Sequence, residues 1–201
     1  FETSEGYSLG PLSPSGSTAQ AGWSGGAQGG FTNNDAGDEQ IVDSHAHSGL
    51  HSWHYARGYG SPGQGTPFSP AMSSVAGPGT RFVLSIYFHA ADGSGDDSHQ
   101  NLYMGTDDGT DRTGFNIYLM NSGDGDGLHL YTYDWISGAS VKTVFATGLD
   151  RTAWHQLEVT ATFGAEPDDD TFEYSVNGVP SFTGKSWPNL WRASMNFDAA
   201  Y

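Results

Sequence analysis

Cysteine is absent from these 201 residues, so neither a disulfide framework nor a thiolate metal or redox site is available. Cations are scarce. Seven Lys and Arg stand against 23 Asp and Glu, a formal net charge of −16. A field of that sign repels nucleic acid and anionic membrane surfaces, which removes both as partners. It suits neutral glycans, divalent cations or a saline medium. Long apolar runs are missing too, and none approaches the ~20 residues of a membrane-spanning helix. Glutamate occurs only at positions 2, 5, 39, 158, 166 and 173. A retaining glycosidase needs two carboxyl groups about 5–5.5 Å apart. Those six positions offer no pair of acids at strand spacing in a glucanase-type pattern. No Gly-x-Ser-x-Gly elbow is present for a serine nucleophile either.

What the chain does have is glycine, 29 residues of it, and aromatic side chains at 13%. Helical periodicity is nearly lacking. Short runs of β-branched and aromatic residues alternate with Gly, Asp, Asn and Pro clusters, which predicts an all-β protein. Strands are expected near 40–43, 52–57, 80–89, 100–105, 113–120, 127–135, 141–147, 153–163, 171–176 and 192–197. The breaks between them, such as DGSGDD at 92–97, NSGDGDG at 121–127 and Asn177-Gly178, carry turn chemistry. The length fits one large domain over residues 1–201. Within it, the Gly/Ser-rich stretch 3–38 reads as long loops, partly packed through Trp23 and Phe31.

Alternation divides the strands into faces. Phe82, Leu84, Ile86 and Phe88 make one side of a strand, and Phe115, Ile117 and Leu119 another. Leu157, Val159, Ala161 and Phe163 form a third, with Phe172, Tyr174 and Val176 a fourth. These sides are expected to share a core. The opposite sides carry Tyr87, Tyr118, His129, Tyr131, Tyr133 and Trp135, six rings on a solvent-facing sheet surface. Sugar rings have apolar C–H faces and polar rims, so such a surface is a candidate carbohydrate-binding face. High strand propensity of Tyr and Trp, with loops laid over them, is the plainer account of the same pattern.

Two acidic turns are candidate calcium ligands: Asp107 with Asp108, and Asp124 with Asp126. Calcium takes six to eight oxygens from carboxylates and carbonyls, although the EF-hand spacing is not present. SHAHSGLHSWHY (44–55) places His45 and His47 two residues apart, close enough for zinc or copper on an extended strand. With no carboxylate set following at open-site spacing, these read instead as surface histidines.

The segment WHQLEVTATFGAEPDDDTFEYSVNGVPSFTGKSWPNLWR (154–192) resembles the later part of concanavalin A-like lectin/glucanase jelly rolls, including laminin G-like modules. HSGLHSWHYARGYGSPGQGTPFSP (47–70) is similar to the early part of bacterial members. The resemblance implies a jelly-roll β-sandwich of two antiparallel sheets, loops that calcium stabilises, and a lectin-like role. Family members close with a strand beside the first, and this chain stops at NFDAAY. The final strand is therefore expected to be missing or to come from a neighbouring subunit.

Together these readings predict a non-catalytic, extracellular carbohydrate-binding or cell-adhesion domain whose partner is a glycan or polysaccharide. The alternative is a structural subunit, a homo-oligomer self-assembling into a fibre, sheath or surface layer, because a bare sheet edge templates strand addition. The start at Phe1 without methionine fits a mature secreted product or a trimmed chain.

Overall fold

The computed structural model describes residues 3–11, 20–22, 24–25, 39–55, 67–68, 78–90, 100–107, 113–121, 126–165 and 169–185. The protein is mostly β, built from antiparallel sheets. Among the described residues the only helical pieces are two three-residue 3-10 turns, Thr3–Glu5 and Gln20–Gly22, and no helix is long and apolar enough to cross a membrane. The chain divides into two compact units, Phe1–Met72 and Ser73–Tyr201.

The first unit contains β1 (Gly10–Pro11), β2 (Ser24–Gly25), β3 (Glu39–Val42), β4 (Ser52–Tyr55) and β5 (Pro67–Phe68). β1, β3 and β4 form a three-stranded sheet, while β2 pairs with β5. Among the described residues of this unit, Ile41 is fully buried.

The second unit contains β6 (Arg81–Phe88), β7 (Gln100–Asp107), β8 (Thr113–Asn121), β9 (Leu128–Ile136), β10 (Ala139–Leu149), β11 (His155–Thr162), β12 (Thr171–Val176) and β13 (Val179–Gly184). One four-stranded sheet runs β10-β9-β8-β7, a meander of consecutive strands. The other runs β13-β12-β11-β6, so the chain leaves the second sheet after β6 and returns to it at β11.

Alternation explains which faces are covered. Along β9 Leu128, Leu130, Thr132 and Asp134 are buried. Leu157, Val159 and Ala161 of β11 and Phe172, Tyr174 and Val176 of β12 are buried as well. One cluster joins Ile117, Leu128, Leu130 and Phe145 of the meander to these residues of β11 and β12. The Phe145 and Tyr174 rings meet at 5.0 Å between the two sheets. Each fully buried Leu or Phe is worth about 1.5–3 kcal/mol, so this cluster is the main stabilising feature of the unit.

Tight turns set the register. Ser137 and Gly138 (φ 51° and 82°) join β9 to β10, and Asn177 and Gly178 (φ 52° and 76°) join β12 to β13. Positive φ at both central residues matches the twist of a two-residue hairpin. The Asn177 side chain does more than turn. Its Oδ1 accepts from Gln156 N at 3.0 Å, and its Nδ2 donates to His155 Nδ1 at 3.1 Å.

Nine of the ten strands expected from the sequence coincide with strands of the structure to within about two residues at each end; the tenth, 192–197, lies outside the described residues. β13 was not among the strands expected from the sequence, and it carries Pro180, a residue that cannot donate to a ladder. The proline is tolerated there since, among the described residues, β13 ends its sheet, and the register shifts between Tyr174 and Ser175 of its partner.

Candidate functional site

β8, β9 and β10 bring most of the sequence-predicted rings together. Backbone register puts Tyr103, Tyr118, Tyr131 and Val144 at successive positions across the four strands of the meander. Tyr133 faces Lys142 in the next row, Met120 faces His129, and Trp135 faces Ser140. For Tyr118 and Trp135 only the strand position is described.

The rings are unequally open. Tyr133 is half-buried, but Tyr131 is only 6% exposed and is not the open platform that alternation predicts. Its edge meets Tyr133 at 5.9 Å in a near-perpendicular pair, and the Lys142 ammonium lies 3.9 Å above its ring. Burial, with Tyr133 as a lesser cause, raises the Tyr131 hydroxyl above the usual tyrosine value, so it stays protonated at neutral pH. A cation over a ring gains about 0.5–1 kcal/mol at an exposed site. Lys142 itself is exposed, and its ammonium keeps donor capacity toward solvent.

Tyr87 does not belong to this surface. It lies on β6 in the other sheet, 46% exposed, where it alternates with Ile86 and Phe88 of the core side. Sequence alternation places a residue on one side of its own strand and says nothing of which sheet that strand joins.

His129 is mostly buried, with Nε2 3.4 Å from the Asp126 carboxylate, whose side chain is largely exposed. Asp126, Gly127, Gly148, Leu149, Asp150, Arg151 and Thr152 line an open depression beside it. Of the other candidate calcium ligands, Asp107 is the last residue of β7, and Asp108 and Asp124 lie outside the described residues. Among the described residues no three His, Asp or Glu side chains group as a metal site. His45 and His47 are both exposed, and His45 Nδ1 sits 3.2 Å from Ser44 Oγ.

Among the polar groups of the interior that escaped the sequence reading are Asp134 and His155. Asp134, 3% exposed, takes the Lys185 backbone N–H on both carboxylate oxygens, at 3.0 and 3.1 Å. It thereby ties the end of β13 to the opposite sheet. The signal was visible: Asp134 has the same parity as Leu128 and Leu130, a placement that buries a carboxylate. His155 is also buried. Its Nε2 lies 2.7 Å from the Asp150 carbonyl oxygen and its Nδ1 accepts from Asn177 Nδ2, so both ring nitrogens are engaged. Asp150, whose backbone carbonyl takes part in that contact, has an exposed side chain. The Thr152 N–H and hydroxyl both donate to Oδ1 at 2.8 Å, which holds this exposed carboxyl below its ordinary value. Lys142 was missed as well. The Ser137-Gly138 turn fixes its register opposite Tyr133, but that turn was not read from the sequence.

These observations define a β-rich protein of antiparallel sheets with an aromatic patch on one of them. No family model matches the chain, and no curated protein or solved structure matches it either.

Proposed function

We propose that the protein is a non-catalytic, extracellular carbohydrate-binding or adhesion module of concanavalin A-like jelly-roll type. The two four-stranded sheets of the second unit are read as the halves of a β-sandwich. The carrying observation is the half-buried Tyr133, flanked by the perpendicular Tyr131 ring and the Lys142 ammonium on the meander face away from the shared core. Tyr133 offers the ring on which a sugar C–H face stacks, and Tyr131 is the support that orients it. The non-catalytic part of the reading is supported by His155 and Asp134, whose polar atoms are engaged in holding the fold.

Retention on columns of immobilised polysaccharide tests this. Tyr133→Ala is expected to lose retention, while Tyr87→Ala, on the other sheet, elutes as the parent does. Equal retention of all three proteins, or no retention of the parent on neutral and acidic polysaccharides alike, would end the reading.

Calcium bound by the Asp107 and Asp126 turns, as a stabiliser of the loops beside this face, belongs to the same proposal. Millimolar calcium is expected to raise the melting temperature by several degrees and chelator to reverse it, in line with binding to the native state alone. A melting curve indifferent to both would remove calcium and leave the glycan reading intact. The self-assembly alternative rests on β6, which ends its sheet among the described residues and exposes Val83 and Tyr87. Filaments in negative stain, in place of a monodisperse monomer, would favour it.

A further inference from the structure

The cation on the aromatic patch stands out against the rest of the chain. With seven basic residues in a protein of net charge −16, an ammonium held over Tyr131 and opposite Tyr133 has no carboxylate paired with it among the described residues. Among the described residues, the positions that share its face on β9 and β10 carry no acid. On its face β9 presents His129, Tyr131 and Tyr133, and β10 presents Ser140, Lys142 and Val144. Asp134, the acid of β9, is turned into the interior and buried.

Taking the glycan-binding reading as its basis, we propose that this face selects acidic polysaccharides, those whose sugars carry a carboxylate, and that Lys142 is the residue that recognises the charge. The geometry combines the two features a uronate needs. Tyr133 supplies a flat apolar surface for the ring, and the Lys142 ammonium, on the neighbouring strand at the facing register position, supplies donors for the carboxylate. The strongly negative net charge does not forbid this. At about 0.15 M salt, interactions between exposed charges are largely screened beyond roughly 8 Å, so the local cation outweighs distant carboxylates. The contact over Tyr131 also limits the freedom of the lysine, which lowers the entropy lost when it meets a ligand.

The test compares polygalacturonate with its methyl ester, the same backbone without the charge. Binding is measured calorimetrically at physiological salt with chelator present, so that calcium cannot bridge protein and polymer. The parent is expected to bind the acid form about fivefold more tightly than the ester, the upper end for an exposed ion pair. Lys142→Gln should bring the two polymers level, Lys142→Arg should keep the preference, and circular dichroism melts should show both variants folded. Equal binding of acid and ester by the parent, or a preference that survives Lys142→Gln, overturns the charge assignment and leaves the glycan reading standing. Binding of neither polymer, nor of neutral polysaccharides, overturns both.

Discussion

Gly127→Ala is expected to destabilise the second unit by about 4 kcal/mol, a large part of the ~5–15 kcal/mol that holds a typical domain folded. Gly127 lies just before β9 with φ of 86°, and a Cβ there would sit 2.5 Å from the Leu149 carbonyl oxygen. Two costs add. A positive φ strains any L side chain by about 1–3 kcal/mol. The obstructing atom is backbone of β10 at a ladder position, Leu149 facing Leu128, so it can move only if the strand pair parts. Overpacking of that kind costs about 1–3 kcal/mol more. Gly138→Ala is the control. Its φ is 82°, but nothing lies within 4 Å of the added methyl, so only the backbone cost of about 1–2 kcal/mol applies. Urea denaturation of both variants measures the difference. Equal losses would mean that the Leu149 carbonyl yields without resistance.

The second large effect concerns Asp134. Asp134→Ala is expected to cost about 2–3 kcal/mol, the range for a hydrogen bond to a charged group whose partner is left without it. Asp134→Asn keeps one carbonyl acceptor and should lose about half as much. Gly184 makes the argument sharper, because a Cβ on it would lie 2.7 Å from the Asp134 carboxylate and 2.7 Å from the Phe182 ring. Gly184→Ala alone should therefore be costly, and less so once Asp134 is alanine. A double-mutant cycle is expected to return a coupling of about 1 kcal/mol. Strict additivity would show that the carboxylate does not press against β13.

Both effects concern groups that alternation locates on a face without revealing their surroundings. Local chemistry made much of the protein legible. The Leu-x-Leu-x-Thr order of β9 and the Leu157, Val159, Ala161 series of β11 gave strand and buried side correctly, because the side-chain period in a strand is fixed at two. Asn177-Gly178 announced its turn, though not the strand that follows it, since few residue pairs accept two successive positive φ values. The reading failed where the deciding neighbour is distant in sequence. Tyr87 and Tyr131 look alike along their strands, yet one stands 46% exposed on β6 and the other is 6% exposed on β9. Lys142 carries no motif. It matters only because a tight turn brings it opposite Tyr133 and over the Tyr131 ring.

By itself, then, the sequence determined the kind of structure: β, cysteine-free, acidic, with an apolar side legible on β6, β8, β9, β11 and β12. Tertiary structure decided which strands share a sheet, which rings lie under a lysine and which remain open, and that a carboxylate of β9 anchors the end of β13. The reason is physical. Backbone dihedrals and side-chain alternation are settled within a few residues. The enclosure of a side chain, and the charge it meets, depend on pairing between strands that chain connectivity leaves open.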